Sequence, residues 1–84
     1  MSAQQETAPD HRRGLGDRWL AGAEVPGVTF GLNDAVEIVG GSRAGAIGSV
    51  ILLLGVDPEP TFLVELATGA GDARVRQSAL RHVA

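Results

Sequence analysis

Residues Val36 to Val50 read V-x-I-x-x-G-x-x-x-G-x-x-G-x-V, with Val36, Ile38, Gly41, Gly45, Gly48 and Val50 at the marked places. No other stretch of the chain restricts its folding as much. An apolar pair at period two, then three glycines spaced by four and three residues, then a resumed apolar run, describes two β-strands joined by a short loop. Such a loop needs positive φ and close backbone approach, and glycine supplies both.

Val36 and Ile38 share one side of the first strand and Glu37 and Val39 the other, the pattern of a half-buried antiparallel strand. The loop Gly40-Gly41-Ser42-Arg43-Ala44-Gly45 follows. Gly48 falls inside the second strand, where a missing side chain marks a bulge, a sharp bend at a barrel corner or a neighbouring backbone that comes close. In the same strand the run Val50-Ile51-Leu52-Leu53-Leu54 is aliphatic on both sides. With Val50, Leu52 and Leu54 assigned to the core, Ile51 and Leu53 point away from it, and Leu63 shares their side when Phe62, Val64 and Leu66 point in. The expectation is an outer apolar patch of Ile51, Leu53 and Leu63, with Val39 at its margin, covered by the N-terminal segment or used as an interface.

The glycine spacing resembles, without a gap, the KOW motif of a large-subunit ribosomal protein and of transcription elongation factors of the NusG type. Thr61 to Leu66, the turn Thr68 to Asp72, Ala73 to Gln77 and the closing Ser78 to Val83 are similar to the rest of such a barrel, so the resemblance runs roughly from Leu32 to Val83. Two departures are visible: Asn33-Asp34 stands where the family usually opens with Gly-Asp, and the inter-strand loop, commonly rich in Lys or Arg, holds only Arg43. The fold expected is all-β, a small five-stranded SH3-like barrel with an N-terminal extension and strands near 34–39, 46–55, 61–67, 73–77 and 81–83. The resemblance further implies a nucleic-acid role, RNA- or ribosome-associated, in which Arg43, Arg74, Arg76 and Arg81 meet phosphates.

Charge pulls the other way. The chain has 84 residues, net charge −3 and seven basic side chains, all arginine. A general phosphate-binding surface carries a basic excess, whereas residues 33–84 hold four arginines against six carboxylates. A barrel this small folds near the lower size limit for a chain without staples, and its core is expected from Val36, Ile38, Val50, Leu52, Phe62, Val64, Leu66, Val75 and Leu80. With no cysteine there is neither disulfide nor thiolate metal site. The N-terminus lacks an apolar leader and the longest aliphatic run is far short of a membrane span; a soluble, cytoplasmic protein is expected.

Three segments follow from this reading: a flexible tail over 1–14, an N-terminal segment packing on the barrel over 15–32, and the barrel over 33–84. The tail's basic cluster His11-Arg12-Arg13 reads as a solvated terminus. Asp17 to Ala21 reads as a short helical turn capped by Asp17, Val28 to Leu32 as an extended lead-in, and Trp19 as a plug over the barrel's open end or outer face. In Val56-Asp57-Pro58-Glu59-Pro60 two carboxylates are too few to specify a cation site, so the segment is a rigid turn. A cross-strand ion pair of Glu65 with Arg74 or Arg76 is expected on the outer face.

No catalytic constellation is visible. His11 lies in the tail and His82 near the end of the chain, neither with a sequence-local partner, and the glycines lack the G-K-[ST] of a phosphate loop. The expectation is a non-enzymatic interaction module with a protein partner and no cofactor or metal, its contact surfaces the loop Gly41 to Ala46 and the outer sheet. The candidate binding residues are Arg43, Arg74, Arg76, Arg81, Ile51, Leu53 and Leu63, around the motif glycines Gly41, Gly45 and Gly48.

Overall fold

The computed structural model describes residues 11–83. One α-helix, α1 (His11–Leu20), precedes five strands: β1 (Ala35–Ile38), β2 (Ile47–Gly55), β3 (Thr61–Leu66), β4 (Asp72–Arg76) and β5 (Leu80–His82), with a 3-10 turn at Gln77–Ala79 between the last two. The strands form one antiparallel sheet in the order β4-β3-β2-β1-β5, so the domain is all-β apart from its leading helix.

The motif works as its residues suggest. Gly41 and Gly45 both have positive φ, +80° and +96°, and the loop between them is pinned by its own backbone: the Gly45 N–H donates to the Ile38 carbonyl (2.7 Å) and the Ile38 N–H to the Ala46 carbonyl (2.8 Å). Gly48 faces Leu66 across the β2–β3 ladder. A Cβ built on it lies 2.3 Å from the Glu65 carbonyl oxygen, closer than any real side chain sits. Of the three meanings a strand glycine carries, close approach of a neighbouring backbone is the one realised here.

The parity of β2 differs from expectation. Between Val50 and Leu52 the β2–β3 register shifts by a bulge: Val50 faces Val64, but Leu52 faces Leu63 and Leu53 faces Phe62. An extra residue in one strand reverses which side chains point inward. Leu53 therefore enters the core (9% exposed) and Leu52 leaves it (39% exposed). The expected outer patch loses Leu53, and Ile51 and Leu63 are only half-buried.

The helix is longer than the turn expected, beginning at His11 and ending in a Schellman motif, with the Ala23 N–H donating to the Arg18 carbonyl and the Gly22 N–H to that of Trp19. Asp17 lies within the helix and does not start it. Residues 1–10 of the expected tail lie outside the described residues. Trp19 penetrates the core, 3% exposed, with its ring 6.3 Å from that of Phe62. Its Nε1 donates to the Phe30 carbonyl at 2.8 Å, which satisfies the one polar group a buried indole carries. Phe30 meets Phe62 edge-on at 5.7 Å. Beyond the core expected from sequence, the structure thus adds Trp19, Val25, Phe30 and Ala73 as well as Leu53, while Leu20 stays exposed. Val28 to Leu32 forms no strand. It is held instead by Gln77, whose Oε1 accepts from the Thr29 N–H (2.8 Å) and whose Nε2 donates to the Gly27 carbonyl (3.0 Å).

Candidate interaction groove beside the motif loop

β4 reads Asp-Ala-Arg-Val-Arg, with Ala73 and Val75 buried and Arg74 and Arg76 exposed. The alternation alone puts the two guanidinium groups on the same outer side. The loop after β1 carries Arg43, which is also exposed. Together these elements line a cavity of about 310 Å³: Gly40, Gly41, Ser42 and Arg43 come from the loop, Arg74, Val75 and Arg76 from β4, and Ile38 and Ala79 supply apolar surface. No carboxylate lines it. Three arginines from two elements remote in sequence thus border one concavity with an apolar component.

The fourth arginine is elsewhere employed. Arg81 faces Glu37 across the β1–β5 ladder and donates to its Oε1 through Nε (2.9 Å) and Nη2 (2.6 Å). The expected pairing of Glu65 with Arg74 or Arg76 does not form among the described residues: Glu65 faces Asp72, and Arg74 faces Leu63. The hairpin register differs by two residues from the one that expectation required, since Val64 meets Ala73 and Phe62 meets Val75.

The backbone of β4 adds a second property. The Leu66 N–H donates to the Gly71 carbonyl and the Gln77 N–H to the Pro60 carbonyl, so the odd-numbered residues of β4 turn their polar groups toward β3. In an antiparallel strand the even-numbered residues then turn theirs the opposite way. β4 is the terminal strand of the sheet, so the N–H and C=O of Arg74 and the N–H of Arg76 face its open edge, while the Arg76 carbonyl opens the 3-10 turn at Gln77–Ala79.

Two larger concavities gather less chemistry. One of about 440 Å³ runs along Trp19 to Val25 and Val28 to Leu32; another of about 370 Å³ lies between Leu15 and Gly16 of α1 and Leu53 to Asp57. Each has a single carboxylate and no cation. His82, which has no sequence-local partner, finds one in space: its Nε2 is 3.2 Å from Asp34 Oδ2, and its ring is 4.6 Å from that of Phe30. The same Asp34 oxygen accepts from the Gly31 N–H at 2.8 Å, so this carboxylate fastens the segment before β1 to β5. Glu59 has a comparable task, accepting from the Ser78 N–H (2.8 Å) and hydroxyl (3.0 Å). Among the described residues no group of three or more His, Asp or Glu side chains is gathered to hold a metal ion, and no helix there is long and apolar enough to cross a membrane. No family model matches the chain, and no curated protein matches it in sequence.

Proposed function

We propose that this protein is a non-enzymatic interaction module that binds an anionic segment of a partner protein in the groove between the Gly40–Arg43 loop and β4. The observation that carries the reading is the lining: Arg43, Arg74 and Arg76 border one cavity from which carboxylates are absent, in a chain whose net charge is −3. Positive potential confined to one concavity of an otherwise acidic molecule selects a local anionic group and repels extended polyanions. A cytoplasmic setting is compatible with such a module, because a chain without cysteine needs no disulfide to fold.

A second reading keeps the KOW resemblance: the same three arginines meet RNA phosphates. The clustering favours it, while Glu65 and Asp72 beside Arg74 on the outer sheet and the engagement of Arg81 by Glu37 count against it. With three contacts at most, single-stranded RNA is expected to show a log–log salt slope near −2 (about −0.7 per phosphate). Fluorescence anisotropy decides between the readings. A Glu-rich peptide and an oligouridine are titrated with the full chain and with Arg43→Glu and Arg76→Glu at two salt concentrations. Peptide binding lost in both variants, with no saturable RNA binding at physiological salt, supports the protein reading. Tight RNA binding at that salt, abolished by either reversal, overturns it.

A further inference from the structure

We infer that the groove's occupant is an extended acidic segment of another protein that adds a sixth strand to the sheet by pairing with the outer edge of β4, an inference that rests on the interaction-module reading above. Backbone geometry requires more of the ligand than negative charge. Arg74 presents an N–H and a C=O, and Arg76 an N–H, along the edge of a terminal strand, the two residues set about 6.7 Å apart by the strand repeat. Only a peptide in β conformation satisfies donors and acceptors alternating at that repeat, which is how edge strands capture partners. The phosphates of a nucleic acid can meet the guanidinium groups but carry no donor for the edge carbonyl.

The pleat fixes the sequence pattern of the incoming strand. Residues opposite Arg74 and Arg76 place their side chains on the outer face beside those arginines, where Glu or Asp is favoured. The intervening residues point inward with Val75, toward the side of the cavity that Ile38 and Ala79 line, where an aliphatic side chain is favoured. Arg43 comes from a different element and is not part of the edge; protection of an edge strand by charge explains Arg74 and Arg76 but not its presence in the same lining. A second copy of this chain is the wrong occupant, because its own β4, Asp-Ala-Arg-Val-Arg, brings two arginines and one carboxylate to a groove that already holds three arginines. The expected ligand is therefore an alternating acidic–aliphatic segment running antiparallel to β4.

The test uses the isotope-labelled full chain and the probe acetyl-Val-Glu-Val-Glu-Val-Glu-amide. Expected are saturable binding, at least tenfold slower hydrogen exchange at the Arg74 and Arg76 amides, and at least tenfold weaker binding for Arg43→Glu. N-methylation of the probe at its Glu amides, which face β4 in the pairing described, is expected to abolish binding; N-methylation at its Val amides leaves it within about twofold. If the probe binds and Arg43→Glu weakens it, yet both methylated probes bind alike and the two amides stay unprotected, strand addition is wrong while the interaction groove stands. If the probe does not bind at millimolar concentration, or oligouridine displaces it at physiological salt, both fall.

Discussion

Replacing Gly48 with alanine tests the tightest point of the fold. The new Cβ is placed 2.3 Å from the Glu65 carbonyl oxygen, 2.8 Å from Val64 Cγ1 and 3.0 Å from the Glu65 carbonyl carbon. Two of the three obstacles are backbone, so no rotamer change relieves them. Gly48 bonds toward β1, as the Ile38–Ala46 and Val50–Asp34 hydrogen bonds of that ladder require, and this makes its pairing with Leu66 on β3 the close, non-hydrogen-bonded kind, about 4.5 Å between Cα atoms. Reaching an ordinary contact means opening β2 from β3 by roughly 1 Å at the centre of the sheet. Insertion of a methyl group into a packed site costs about 1–3 kcal/mol, and weakening the two flanking ladder bonds adds about 0.5–1.5 kcal/mol each, so a loss near 3 kcal/mol is expected. For a domain this size that lowers the midpoint by about 12–24 °C. Gly55→Ala is the control: it lies in the same strand with nothing within 4 Å of its added Cβ, and a surface change of that kind stays within about 0.5 kcal/mol. Thermal melts followed by circular dichroism, with urea titrations to confirm an unchanged m-value, measure both variants. Midpoints within about 3 °C of each other would refute the close-approach argument.

Leu53→Ala and Leu52→Ala locate the bulge energetically: truncating the buried Leu53 is expected to cost about 2–5 kcal/mol, and truncating Leu52, 39% exposed, under about 1 kcal/mol; urea midpoints in the reverse order would restore the unbulged register. Trp19→Phe keeps most of the packing on Phe62 but removes the donor to the Phe30 carbonyl, and a loss of about 1–3 kcal/mol is expected; an unchanged denaturation midpoint contradicts a structural role for that bond. Arg81→Gln breaks an ion pair whose arginine side chain is 67% exposed, so it should cost under about 1 kcal/mol and leave probe binding in the groove unchanged, as isothermal titration would show.

The parts of this fold that sequence makes legible are those where one residue type has one physical use. Gly41 and Gly45 carry positive φ and Gly48 admits a passing carbonyl, uses for which glycine is the residue of least strain; with the alternation in β1, β3 and β4 they suffice to place all five strands within a residue or so of their observed ends. Illegibility begins where residues are interchangeable. Val50-Ile51-Leu52-Leu53-Leu54 has no polar member to mark the outer face, so a bulge at Ile51 leaves no trace in the pattern while reversing which leucine is buried. The hairpin register likewise depends on how the turn Thr68 to Gly71 is counted, and an error of two residues exchanges Asp72 for Arg74 opposite Glu65.

The groove is a composite of both kinds of residue. The alternation Ala73-Arg74-Val75-Arg76 already puts two arginines on one side of a strand, but only the sheet order makes that strand terminal, and only the return of the chain through Ala79 and β5 brings Ile38 and the Arg43 loop beside it. Arg81 shows how little arginine content alone decides. It has the same residue type and strand-like context as Arg76, yet its cross-strand neighbour is Glu37 where that of Arg76 is Thr61, and a carboxylate at hydrogen-bond distance neutralises the field a ligand would otherwise meet. What separates an arginine available to the proposed ligand from one paired within the fold is therefore the residue across the ladder, a property of register. Register is also what sets the backbone of Arg74 and the Arg76 N–H toward the open edge, so the charge that would attract the proposed partner and the hydrogen-bonding groups that would align it arise from the same two residues.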